Sequence, residues 1–339
     1  MDDRHLPQAL PHDPPLRTIL LERPAAIEDL DPSLALRLDR LLEANRLEAS
    51  LWDLVRSQGD EGRISPARLT SWRTASLLAS ARSAAYAEAL EEVEEISASR
   101  SLPVRLLPSA QVCSRVYPRP ELRPLESLDV LAASGREREL HGALKQLRFF
   151  ELESLLDEPQ RTSRQLPALE RDGVVVNVFR ASMEPDRRHP WDHFAAVEGP
   201  GRALEHGPEA LLVLFSEEMA RRRFAHSLRL LRDVHEVVER LAPSWPILLG
   251  QAAESGHSLE AALGLSLASR ILGTPIPESI LAELAERAGL APSRSHRLLL
   301  VAGAVVLEYP APPRHVEVLG RLLQKAALTG KTTATQSVA

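Results

Sequence analysis

Residues 106–132 read LLPSAQVCSRVYPRPELRPLESLDVLA, and this stretch decides the fold. The apolar run from Leu102 to Leu107 leads into it and predicts a short strand. Val112 to Tyr117 predicts a short helix, which is closed by the prolines that follow. Leu125 to Ala132 predicts a second strand. The stretch therefore predicts a strand, a helix and a second strand in close succession.

The second predicted strand carries one well-placed carboxylate. Side chains two residues apart on a strand share a face, so Ser127 and Asp129 point the same way. Glu126 would point to the opposite face, because it lies an odd number of residues from Asp129. A bulge could re-aim Glu126, but no glycine is present to indicate one. The pattern thus offers Asp129 as the acid of this face.

The types and spacing of several residues in this stretch agree with a known pattern: Tyr117, Pro118, Pro120, Arg123, Pro124, Leu128, Asp129 and Leu131. They resemble an uncharacterised bacterial nucleotidyltransferase family of the polymerase-β-like superfamily. In that family a strand and a Leu-Lys-Gly loop precede a short helix ending in Tyr-Pro-x-Pro, followed by Arg-Pro-x-x-Asp-x-Asp-Leu-Leu-Val. The resemblance covers most of residues 35–290 and is strongest over 102–132.

The resemblance implies a site whose chemistry is altered. In this superfamily the loop holds a triphosphate, and three carboxylates hold two Mg²⁺ ions that stabilise the attacking and leaving oxygens. Here the loop reads Pro108-Ser109, Ser127 replaces the first acid, and Asn177 occupies the position of the third. Asp129 is therefore the sole retained acid, and it is the candidate catalytic and metal-binding residue.

Ser109, Arg123 and Ser127 are the candidate cofactor-binding residues. Arg123 can bind a phosphate in a bidentate manner, or it can form a structural ion pair with Glu121 or Glu126. The two serines can bind a phosphate or hydroxyl group, or they can satisfy local backbone groups.

Asp129 is either a residual metal ligand or a strand-end acid bonded to a neighbouring loop. Two hypotheses for the function of the protein therefore remain open. The first is a pseudoenzyme that acts as a binding or scaffolding module, because one carboxylate neutralises a divalent cation poorly. The alternative is a divergent metal-dependent enzyme that transfers a nucleoside monophosphate from NTP to a small molecule or peptide. Mg²⁺ and NTP are cofactors only in the second case; otherwise the cofactor is unknown.

The rest of the chain predicts mainly helices. Helical apolar spacing or helix-start signals mark the following ranges: Leu34–Arg56, Ser65–Ser99, Arg136–Phe149, Glu209–Leu241, Leu259–Leu272 and Ile280–Ala288. Gly173 to Phe179, rich in valine, gives the clearest strand signal. We therefore expect an α+β fold, in which a small mixed sheet of nucleotidyltransferase type is flanked by N-terminal helices and a C-terminal helical bundle.

We expect five segments along the chain. They are a flexible arm (1–16), an N-terminal helical segment (17–100), a nucleotidyltransferase-like core (101–200), a C-terminal helical domain (201–325) and a disordered tail (326–339).

Composition limits the partners. The net charge of −6 argues against general nucleic-acid binding. The apolar run Leu298–Leu307 is shorter than the roughly 18 residues that a membrane span needs. We expect a cytoplasmic protein without a membrane partner, whose partner is a nucleotide, a small molecule, a peptide or another protein.

Two charged clusters have alternative interpretations. Arg221 to Arg223, with Arg229 and Arg232, predict a basic helix whose face is either solvated and salt-bridged or directed at a phosphate or a partner. His189 and His193 have the spacing of one helical face, but Pro190 discourages a helix there, so we do not expect a metal site.

Overall fold

The structure is a computed structural model, and it describes residues 14–152, 165–180, 196–198, 203–307 and 315–323. The chain divides into two compact units: a helical unit of residues 1–74 and 211–339, and a sheet unit of residues 75–210. Most of the predicted arm, the predicted tail and the His189–His193 pair lie outside the described residues. The five segment boundaries stay a prediction.

The described α-helices are, in chain order, α1 (Pro14–Arg17), α2 (Pro32–Ala44), α3 (Glu48–Gln58), α4 (Pro66–Ser99), α5 (Pro108–Arg115), α6 (Glu137–Gln146), α7 (Pro208–Arg221), α8 (Leu228–Leu241), α9 (Trp245–Glu254), α10 (Ser258–Leu272), α11 (Glu278–Arg287) and α12 (Pro292–Leu307), with a further helix over 315–323. None of these helices combines the length and the apolar composition that crossing a membrane requires.

The strands are β1 (Val104–Leu106), β2 (Leu128–Ala132), β3 (Phe150–Glu151), β4 (Leu169–Arg171), β5 (Val174–Arg180), β6 (Ala196–Glu198) and β7 (Leu204–His206). They form one sheet in the order β3-β4-β5-β2-β1-β7-β6. Strand β2 runs antiparallel to β1 and parallel to β5, so the sheet is mixed. The expected α+β class, with helices before and after the sheet, is confirmed.

Alternation along β5 and β2 creates one apolar face and a second face, here called the polar face, on which Asp129 and Asn177 lie beside Val175, Phe179 and Leu131. Val174, Val176 and Val178 are buried in the core of the sheet unit, while Asn177 between them is only partly buried. Asp129 likewise lies between two buried residues of β2. Because successive strand side chains point to opposite faces, the apolar core fixes the face on which Asp129 and Asn177 lie.

Helix α10 forms much of the core of the helical unit. It is buried along most of its length and lies against α8, α9, α11 and α12. Gly264 permits its close approach to α7, because a Cβ atom there would lie 2.5 Å from Ser216 Oγ. Any larger residue at this position would therefore have to displace Ser216 or the neighbouring Met219.

Several predicted elements differ in their limits, and strand β2 begins at Leu128 instead of the predicted Leu125. The periodic stretch Leu34–Arg56 forms two helices, α2 and α3, with a break at Arg46, whose φ is +54°. The stretch Glu209–Leu241 also forms two helices, because Arg223, Phe224 and His226 adopt positive φ between α7 and α8. Helix α5 begins at Pro108, earlier than predicted, since proline is well suited to the first turn of a helix. The predicted long helix matches α4 at both ends.

Tyr86 of α4 joins strand β5 to the segment that leads into β2. Its hydroxyl donates to Glu126 O at 2.7 Å, and it accepts from Val175 N at 3.3 Å. We expect Tyr86→Phe to lower the free energy of unfolding by about 1 kcal/mol and to speed exchange of the Val175 amide hydrogen. Unchanged exchange at Val175 would contradict this role for the hydroxyl.

Candidate functional site

The register of β2 and β5 brings the three positions identified from the sequence together. Asp129 is paired with Asn177 across the two parallel strands, and Ser127 lies two residues before Asp129. Period-two alternation therefore places Asp129 and Asn177 at one part of the polar face, and a hydrogen bond places Ser127 beside Asp129. The sequence predicted these positions, and the structure shows that they converge.

A chain of hydrogen bonds joins these residues, and we call it the Asp129 network: Ser127, Asp129, Gln165 and Asn177. Ser127 Oγ donates to Asp129 Oδ1 at 2.7 Å, and Asn177 Nδ2 donates to the same oxygen at 2.8 Å. Gln165 Nε2 in turn donates to Asn177 Oδ1 at 3.0 Å. Ser127 and Asn177 thus both act as hydrogen-bond donors to Asp129.

The donor set fits a divalent cation poorly. Mg²⁺ requires oxygen ligands in a near-octahedral arrangement and enough negative charge to offset its own. The network supplies one carboxylate, and Asp129 Oδ1 already accepts two hydrogen bonds. In the part of the chain that the structure describes, no group of three or more His, Cys, Asp or Glu side chains could hold a metal ion.

Ser109 and Arg123 lie together at the start of α5. Arg123 is 2% exposed, and its Nη2 donates to Ser109 Oγ at 3.3 Å. Leu107 N donates to Asp129 O at 3.0 Å, which holds the start of α5 beside β2. Glu121, one of the two acids predicted to pair with Arg123, lies 3.8 Å from Arg119. A phosphate-binding role for Ser109 and Arg123 stays a prediction.

Helix α5 is held in place by two side chains that the sequence did not single out. Gln111 Nε2 donates to His206 O and Gln111 Oε1 accepts from His206 N, both at 2.8 Å. Arg115 donates to Glu94 at 2.8 Å and to Glu205 at 2.7 Å. These bonds tie α5 to α4 and β7, and so they fix the start of α5 near the network.

Gln165 is the network residue that no sequence pattern indicated. It forms an isolated antiparallel bridge with Phe179, and this bridge places its side chain beside Asn177. No motif surrounds it in the sequence, because its position depends on where the chain passes β5. Only the tertiary structure could have identified it.

A second titratable cluster lies in the helical unit, at the end of α7 and the start of α10. Burial raises the pKa of the Glu217 carboxyl to about 7, and the neighbouring Glu218 adds to this rise. Glu260 also raises this pKa, while Arg221 and His257 oppose it. The carboxyl is therefore neutral in the folded chain at pH values where it would ionise in the unfolded chain.

Glu217→Gln should flatten the dependence of stability on pH. Because the folded pKa of Glu217 lies above 4.5, its contribution is complete at low pH and is lost as pH rises through about 7. At pH 8 the variant should exceed the parent in stability by about 1–3 kcal/mol, and near pH 4 the two should be equal. Denaturation across this pH range tests it, with the exposed Glu254→Gln as control. Equal gains in stability at pH 8 for the two variants would contradict the raised pKa of Glu217.

Comparison with known proteins identifies a family. The sequence profile of a family described as uncharacterised nucleotidyltransferase matches residues 32–273. The match extends from the start of α2 to Gly273, directly after α10. No curated protein and no solved structure shows significant similarity to the chain.

Proposed function

Because the chain belongs to this nucleotidyltransferase family, we propose that it is a pseudoenzyme in which the fold serves as a binding or scaffolding module. One observation carries the proposal: Ser127 and Asn177 donate hydrogen bonds to the single acid, Asp129. In an active site of this kind, the corresponding groups would direct oxygen lone pairs at metal ions.

The polarity of the network supports a loss of metal-dependent transfer. A cation that approached Asp129 Oδ1 would compete with the two donors already bonded to that oxygen. It would also meet the Asn177 Nδ2 hydrogens, which carry partial positive charge. These costs add to the weak neutralisation by one carboxylate.

The proposal extends to partners and location. We propose a nucleotide, a small molecule, a peptide or another protein as the partner, because the net charge of −6 is unfavourable for binding nucleic acid in general. We also propose a cytoplasmic location. The alternative, a divergent enzyme transferring a nucleoside monophosphate, requires metal-dependent binding of NTP.

Thermal denaturation with each NTP at millimolar concentration, in Mg²⁺ or Mn²⁺ and again in EDTA, tests the proposal. Ligands that bind the folded state raise Tm by mass action. We expect no increase in Tm that depends on the metal. A metal-dependent increase that one nucleotide causes in the parent, and that Asp129→Asn abolishes, would overturn the proposal in favour of the enzyme.

A further inference from the structure

The outer side of helix α4 exposes two large apolar side chains. Leu77 and Leu78 are 65% and 67% exposed, although the other side of α4 is buried in the core of the sheet unit. Ala81 and Ala84 are also exposed, and they follow Leu77 at spacings of four and three residues. Residues at these spacings share one side of a helix, so Leu77 and the two alanines form an apolar strip that faces solvent.

Charged residues of opposite sign end this strip. Arg73 lies four residues before Leu77, and Glu88 lies four residues after Ala84. Both charged residues are exposed, and neither forms an ion pair within the part of the chain that the structure describes. The nearby Glu92, in contrast, pairs within the sheet unit at 2.7 Å. We call the following residues the α4 outer face: Arg73, Leu77, Ala81, Ala84 and Glu88.

The α4 outer face is complementary to itself in the reversed direction. The midpoint between Leu77 and Ala84 along the helix is also the midpoint between Arg73 and Glu88. A two-fold axis through this point places Leu77 of each copy opposite Ala84 of the other, so a large side chain meets a small one. The same axis places each arginine opposite a glutamate. A parallel pair of helices would instead bring like charges together.

We propose that the α4 outer face binds the same face of a second copy of this chain, as an antiparallel two-fold dimer. Self-complementarity in both size and charge favours a second copy, because a two-fold interface uses one surface on both subunits. The proposal does not rest on the loss of the metal site. Helix α4 packs in the core on the apolar side of the sheet, whereas Asp129 lies on the polar face.

The dimer should be weak. The α4 outer face is about 23 Å long, and one helix face of this length buries less than the roughly 800 Å² per partner of a standard interface. We therefore expect a dissociation constant of about 1–100 µM. Sedimentation velocity of the full chain, from about 1 to 300 µM protein, covers this range.

Reversal of the charges tests the antiparallel arrangement. Arg73→Glu and Glu88→Arg each place like charges opposite one another at both ends of the dimer, so each should raise the dissociation constant at least about tenfold. An equimolar mixture of the two variants should recover the association of the parent, because a mixed dimer joins opposite charges at both ends. Arg37→Glu, at an exposed arginine of α2, is the control and should have no effect.

Leu77→Glu should raise the dissociation constant at least about 30-fold, because it removes the apolar contact on both copies. Leu36→Glu is the matched control, since Leu36 is 52% exposed on α2. A parent that stays monomeric over the whole range would overturn the proposal, as would a dimer that Leu77→Glu leaves intact or that the controls weaken equally. Weakening by the two charge variants without recovery in their mixture would also overturn it, because antiparallel pairing requires that recovery.

Discussion

Replacing Phe149 by alanine should lower the free energy of unfolding of the sheet unit by about 3–5 kcal/mol. The ring is fully buried in the core that α4, α6 and the sheet share. The Arg171 guanidinium lies 4.2 Å from the ring centre and also donates to both oxygens of Glu92, at 3.0 and 2.7 Å. Removing the ring therefore opens a cavity and weakens a contact between β4 and α4.

The next residue is a matched control. Phe150 is 68% exposed, so Phe150→Ala removes the same side chain and should change stability by less than about 0.5 kcal/mol. Urea denaturation, with hydrogen exchange at the β2 and β5 amides, measures both variants. Similar losses for the two variants would contradict the placement of Phe149 in the core.

Local signals in the sequence were sufficient to predict where α4 begins and where β5 lies. The Ser65-Pro66 pair predicted the start of α4, and the valines of 174–178 predicted β5, because both patterns act through neighbouring residues. The short strands β3, β4, β6 and β7 were not predicted. Strands of two or three residues are too short to show a period, and pairing with neighbours defines them.

Breaks between helices were harder to predict than the helices. Arg223, Phe224 and His226 adopt positive φ between α7 and α8. Glycine or asparagine usually indicates this conformation in a sequence, and none of these three residues is of either type. Tertiary packing must stabilise this turn, and apolar periodicity carries no information about it. The register that pairs Asp129 with Asn177 is also a tertiary property, and for these residues the family resemblance supplied what local patterns could not.

Placing carboxylates at positions 127 and 177 should make the stability of the protein depend on divalent cations. In Ser127→Asp with Asn177→Asp, both donors to Asp129 Oδ1 become carboxylates, with the original bonds at 2.7 and 2.8 Å. Carboxylates this close raise each other's pKa, so in EDTA the variant should lose about 2–4 kcal/mol at pH 7. A raised folded pKa is destabilising only above the unfolded value near 4, so the loss should disappear as pH falls below it.

Millimolar Mg²⁺ or Mn²⁺ should recover most of this loss, because three converging carboxylates supply the charge and oxygen ligands that one cannot. Adding Asp129→Asn to the pair of changes is the control, and it should weaken the recovery by removing the central ligand. A rebuilt variant that is indifferent to metal would show that the three positions do not converge on one cation. A parent chain that already responds to metal would show that Asp129 and its neighbours still form a metal site. If only the rebuilt variant depends on metal, then Ser127 and Asn177 are what prevents metal binding in the parent, and the sheet that carries them still has the geometry of a metal site.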